Sequence, residues 1–114
     1  MSSNKKNNRK NGDLYEDIAL QYLLSRDFIF IDKNFYSKYG EIDLIMQKGE
    51  ILHFIEVKSS SSFNPLYKIT DKKLEKMIKT IYIFCDKNNI KLDFCIDAIG
   101  IYKDNITFIE NITI

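Results

Sequence analysis

Two apolar runs, "EIDLIMQ" at 41–47 and "ILHFIEVK" at 51–58, are separated only by "KGE", and nothing else in the chain restricts its fold as tightly. Both are rich in β-branched and large aliphatic residues, and a link this short predicts a β-hairpin. Each run also carries charge: Asp43 in the first, Glu56 and Lys58 in the second. A polar or charged group buried without a partner costs on the order of several kcal/mol. Either these charges neutralise one another as a structural salt-bridge network, or they are held for chemistry. Buried ion pairs stabilise less well than apolar replacements, which favours chemistry.

The remaining patterns build a domain around that hairpin. Leu14, Ile18 and Tyr22, flanked by Tyr15 and Ala19, recur at helical spacing and predict a helix from Asp13 to about Arg26. Glu16 lies roughly 100° from the centre of that stripe, at the edge of the buried face. Residues 28–35, "FIFIDKNF", read as a strand, and "SSSSFNPLY" at 59–67 as a loop. Thr70 is the expected N-cap of a second helix ending near Lys87, with Leu74, Ile78, Ile81 and Cys85 inward. Strands at 92–102 and 106–113 follow, joined by a turn at "KDN". The order αβββαββ predicts a mixed five-stranded sheet with a helix on each side, or both on one.

With 114 residues the chain has room for one domain, set at 12–114. Lys5, Lys6, Arg9 and Lys10 place +4 in the first ten residues of a chain whose net charge is +1, so the remainder carries −3. Residues 1–11 are therefore expected to be a flexible basic tail, either with a non-specific attraction for phosphate or only a soluble terminus. No apolar segment has the length of a signal peptide core or a membrane span, which predicts a cytoplasmic protein with no membrane partner. Cys85 and Cys95 lack metal-ligand spacing and lie among apolar residues, the pattern of buried free thiols.

Alternation puts Glu41 and Asp43 on one face of their strand and Glu56 and Lys58 on one face of the next. Hairpin pairing brings Asp43 within reach of Glu56 if those faces coincide. Two carboxylates that close repel unless a cation lies between them, and Mg²⁺ or Mn²⁺ suits such a pair of hard oxygen donors. Lys58 would then orient a nucleophile or stabilise charge developing on a phosphate oxygen. Glu16 could add a carboxylate or be a solvated first-turn glutamate favoured by the helix dipole, and Lys73 could add a cation or be an ordinary surface lysine. Glu41 reads as a strand-end charge or a supporting group, and Lys72, Lys76 and Lys79 as a solvated face. His53 alternates away from Glu56 with no second metal-type ligand apparent, the pattern of packing or exposed structure.

"GEIDLI" followed by "FIEVK", after a helix carrying "GDLYEDIALQYL" and an Asn34, resembles the YraN-type family. That family is grouped with the PD-(D/E)XK nucleases and is distantly similar to archaeal Holliday-junction resolvases. The resemblance implies a restriction-endonuclease-like core and a Mg²⁺-dependent site that cleaves phosphodiesters, with nucleic acid as partner and DNA favoured over RNA. It also raises a homodimer. On this match Asp43 and Glu56 are the metal-binding acids, Lys58 the catalytic lysine and Glu16 the helix glutamate, while Lys73 most nearly matches the basic residue of the following helix. The chain departs from the family pattern at Tyr15, Tyr36 and Ser60, where a glycine and two arginines are usual. Loss of those arginines supports a different function: a catalytically silent nuclease-fold module that binds nucleic acid or a protein partner. In a third reading the charged triplet is purely structural.

Overall fold

The computed structural model describes residues 2–61 and 64–112, with side chains described for 13–61, 64–66 and 69–112. The elements follow the expected order: α1 Ser2–Leu24, β1 Ile29–Ser37, β2 Gly40–Lys48, β3 Ile51–Ser60, α2 Asp71–Lys87, β4 Asp93–Tyr102 and β5 Asn105–Ile109. A short 3₁₀ turn, Pro65–Lys68, lies within the stretch read as loop; the Asn64 side chain caps it by accepting from the Leu66 N–H. The second helix starts as expected, with the Thr70 hydroxyl accepting from the Lys73 N–H.

Helix α1 starts at Ser2 rather than at Asp13, so no break in the backbone marks the boundary expected between tail and domain. Lys, Arg and Asn continue a helix without steric conflict, and one interior glycine, Gly12, costs only about 1 kcal/mol.

The five strands form one sheet in the order β1-β2-β3-β4-β5. Neighbours are antiparallel except β3 and β4, which run parallel because the 3₁₀ turn and α2 carry the chain between them. Gly49, at φ +61, takes the first place of the two-residue turn between β2 and β3, where primed hairpin turns favour glycine.

The helices cover opposite faces. Ala19 and Leu23 of α1 pack on Leu44, Met46, Ile55, Ile99 and Ile101, whereas Met77, Ile81 and Phe84 of α2 pack on Ile42, Ile45, Leu52, Phe54 and Ile96. Both buried stripes are rotated from the expected ones. In α1 the fully buried positions are Ala19 and Leu23, and Leu14 is 54% exposed. In α2 Met77, Thr80 and Phe84 are buried with Ile81, while Leu74, Ile78 and Cys85 flank them, because Phe84 drives edge-on into Phe35 and Phe54. The α1 rotation has a consequence for Glu16. It stands three and seven residues before Ala19 and Leu23, on the line of the buried face and not at its margin.

Gly100 makes room on the α2 face of β4. A Cβ there would lie 2.9 Å from Leu66 Cγ, so with any larger residue the 3₁₀ turn would have to shift off its seat on the sheet. No helix of the described residues is long and apolar enough to cross a membrane.

Candidate functional site

The site grows from a defect in the β2–β3 ladder. Paired residues run from Lys48↔Ile51 to Leu44↔Ile55, and one further step in that register sets Asp43 against Glu56. There the Val57 N–H donates to Asp43 Oδ2 at 2.8 Å, a side-chain oxygen taking a donor from the neighbouring strand. Beyond this point β2 stays paired with β1 through Phe35↔Ile42, Tyr36↔Glu41 and Ser37↔Gly40, and the end of that hairpin leans on α2 through a 2.8 Å Ser37–Thr80 hydroxyl contact. The face pattern of β2 also slips. Ile42 and Ile45 both belong to the core under α2, although strict alternation would oppose them.

The acids gather around this opening. Ligand oxygens of Glu16, Glu41 and Asp43 lie within 4.8 Å of one another. Asn34 sits between two of them: with its amide turned to satisfy its surroundings, Nδ2 donates to Glu41 Oε1 at 2.8 Å and to Glu16 Oε1 at 2.9 Å. Asn34 has φ +53, a left-handed conformation that asparagine tolerates better than most residues. The kink lies at the centre of β1, between residues paired to Leu44 and Ile42.

Crowding and burial raise the pKa of each of these carboxyls. Burial, with the Glu41 charge behind it, pushes Glu16 up to about 7. Burial followed by the Glu56 charge raises Asp43 to about 8, against the lowering effect of the Val57 hydrogen bond. Glu41 is also raised, chiefly by burial.

Glu56 is buried, with two ammonium groups on one of its oxygens: Lys58 Nζ at 3.2 Å and Lys73 Nζ at 3.6 Å from Oε1. Its other oxygen, Oε2, is buried with no hydrogen-bond partner. Both lysines remain about a third exposed, so they can reach a molecule in solvent while touching the acid.

Glu16, Asp43, Glu56, Lys58 and Lys73 thus converge on one end of the sheet, from α1, β2, β3 and α2. Glu41, read as a strand-end charge or a supporting group, joins the acids directly. Its signal was present in the alternation that places it on the face of Asp43, but only the inward rotation of α1 brings Glu16 against both. Asn34 carried no signal of a bridging role apart from the family motif. Lys72, Lys76 and Lys79 are exposed as expected, although Lys79 and Lys38 both lie over the Tyr39 ring, at 5.1 and 5.3 Å from its centroid.

His53 packs, one of the two placements expected of it, but the expected lack of a second metal-type ligand does not hold. It is 5% exposed and is surrounded by metal-type groups, since Cys95 and the wholly buried Asp97 face it from β4. The sequence carries no local sign of Asp97's place, because its burial follows from the parallel β3–β4 register, with Ile55 as its partner. Both cysteines are free and partly buried.

The model for the uncharacterised protein family UPF0102 matches residues 15–101, a span containing every acid and lysine of the site. A UPF0102 protein of Helicobacter pylori strain HPAG1 is similar at 45% identity over 105 residues, covering 92% of this chain and 92% of its own length. Relatives from Campylobacter hominis and Wolinella succinogenes are 46% and 42% identical, covering 87% and 93% of this chain and 89% and 98% of their own. The chain therefore belongs to UPF0102, the uncharacterised YraN-type family.

Proposed function

We propose that the protein is a cytoplasmic, metal-dependent nuclease-like enzyme of PD-(D/E)XK type that hydrolyses nucleic-acid phosphodiesters, with DNA favoured. The observation that carries this reading is the convergence of Glu16, Glu41, Asp43 and Glu56 beside the ammonium groups of Lys58 and Lys73. As a purely structural network it would be a poor one: three carboxyls are raised by burial and mutual repulsion, and one oxygen of Glu56 has no partner.

The donor set fits Mg²⁺ or Mn²⁺. All the candidate ligands are hard carboxylate oxygens, and Glu56 Oε2 is buried without a partner. Asp43 and Glu56 would hold the ion, with Glu41 and Glu16 supplying further charge. Once bound, such an ion polarises a phosphoryl oxygen and neutralises charge developing on it. Lys58, fixed by Glu56, keeps an ammonium at the mouth of the site where it can hold a phosphate oxygen and orient an attacking water. Lys73 does the same from α2, and Asn34 keeps the Glu16 and Glu41 carboxylates turned inward.

Mn²⁺ titration followed by thermal unfolding tests the metal site, with Asp43→Asn beside the parent protein. Saturable stabilisation in the parent alone is expected, together with cleavage of branched or single-stranded DNA that the variant loses. Equal responses in both proteins would overturn the assignment. Salt-sensitive DNA binding that survives Asp43→Asn and Lys58→Ala without any cleavage would favour a silent binding module.

A further inference from the structure

On the face of β3 opposite Glu56 the sheet buries a second set of ligand-type side chains. His53 and Cys95 are cross-strand partners on β3 and β4, and Asp97 follows Cys95 by two residues, on the same face. His53 Nδ1 lies 2.5 Å from Asp97 Oδ2, Cys95 Sγ lies 3.2 Å from the same ring nitrogen, and Sγ lies 3.3 Å from Asp97 Oδ1. Each pair is within hydrogen-bond reach, and the tautomer of His53 sets which atom donates around Nδ1. The three contacts bring a nitrogen, a sulfur and a carboxylate together around a common point.

We propose that His53, Cys95 and Asp97 form a binding site for a thiophilic divalent ion of the zinc type. Nitrogen, sulfur and oxygen donors in this combination are those zinc takes, with bonds of about 2.0–2.3 Å that set tetrahedral edges of roughly 3.3–3.6 Å. Two of the three edges already approach that size, and binding would open the third. The surroundings orient the ligands: the Asn111 N–H donates to Asp97 Oδ1 at 2.8 Å, and Phe28 packs edge-on against the His53 ring with centroids 4.9 Å apart. Cys95, only partly buried, gives the way in. On binding, the thiol releases its proton to solvent and His53 ligates as neutral imidazole through Nδ1, its proton carried on Nε2. The ion would tie β3 to β4 and, through Asp97 and Asn111, to the segment after β5.

This site is distinguishable from the carboxylate site because sulfur is a ligand in only one of them. Full-length protein freed of metal by chelator is titrated with Co²⁺ and its near-ultraviolet sulfur-to-cobalt charge-transfer absorption followed. A band saturating at one Co²⁺ per chain and bleached by Zn²⁺ is expected. It should persist in Cys85→Ala and Asp43→Asn and vanish in Cys95→Ser. A folded parent protein without the band overturns the proposal before any variant is made, as does a band that survives Cys95→Ser. In the Cys85→Ala protein Zn²⁺ should also slow reaction of the remaining thiol with a disulfide reagent by at least tenfold. An unchanged rate would mean that the triad is only a hydrogen-bonded network.

Discussion

Asp43 shows how one residue joins two demands. Its Oδ2 takes the Val57 N–H where the β2–β3 ladder ends, and its charge faces Glu56 and Glu16. Burial and those neighbours lift its pKa from 3.8 to about 8, while Glu16 rises from 4.5 to about 7. The folded chain therefore holds protons that the unfolded chain has already released, and the carboxyls penalise folding increasingly as pH climbs from 3.8 towards 8. Metal-free protein should lose thermal stability between about pH 5 and pH 8 through these groups, and Asp43→Asn should flatten that slope and raise the melting temperature at pH 8. Parallel melting curves for the two proteins across this range would refute the assignment. Mn²⁺ should recover stability chiefly at the alkaline end, where the carboxylates are charged.

At the scale of elements, the crossover from β3 to β4 is the segment on which the site depends. It carries Lys73 to Glu56, and it is held by the Thr70 cap and by Leu66 seated over Gly100. Gly100→Ala forces a methyl group to within 2.9 Å of Leu66 Cγ and should destabilise by about 1–3 kcal/mol, measured by denaturant unfolding. Thr70→Ala should cost about 1 kcal/mol, the usual value of an N-cap, with Thr70→Ser restoring most of it. If Gly100→Ala is neutral, the 3₁₀ turn is not seated on the sheet as described. The edge strand β1 is protected differently: a bulge between Phe30 and Asp32 interrupts its pairing, and Ile29, Phe30 and Ile31 remain exposed.

For the molecule as a whole, one sheet with a helix on each face gives two cores that share β2, β3 and β4. Phe54 lies at the centre of the α2 side, fully buried and edge-on to both Phe84 and Phe94. Phe54→Ala should cost about 3–5 kcal/mol and lower the stability of the entire domain in a single transition. Two separate transitions would show that the cores unfold independently.

Element order, strand pairing of β2 with β3, the Thr70 cap and the charged triplet were legible in the sequence, because period-two patterning, short turns and caps are local rules that neighbouring residues satisfy among themselves. The direction in which each helix faces was not, since Ala19 and Phe84 won their places through the shapes they meet across the core, beyond what hydrophobic spacing records. The company of each charge was also set by the tertiary structure alone. Glu41 meets Glu16 through the rotation of α1 and the kink at Asn34, and His53 meets Asp97 through a parallel register across 44 residues of chain. Local spacing decides which strand face a residue takes; only the closed sheet decides what stands beside it.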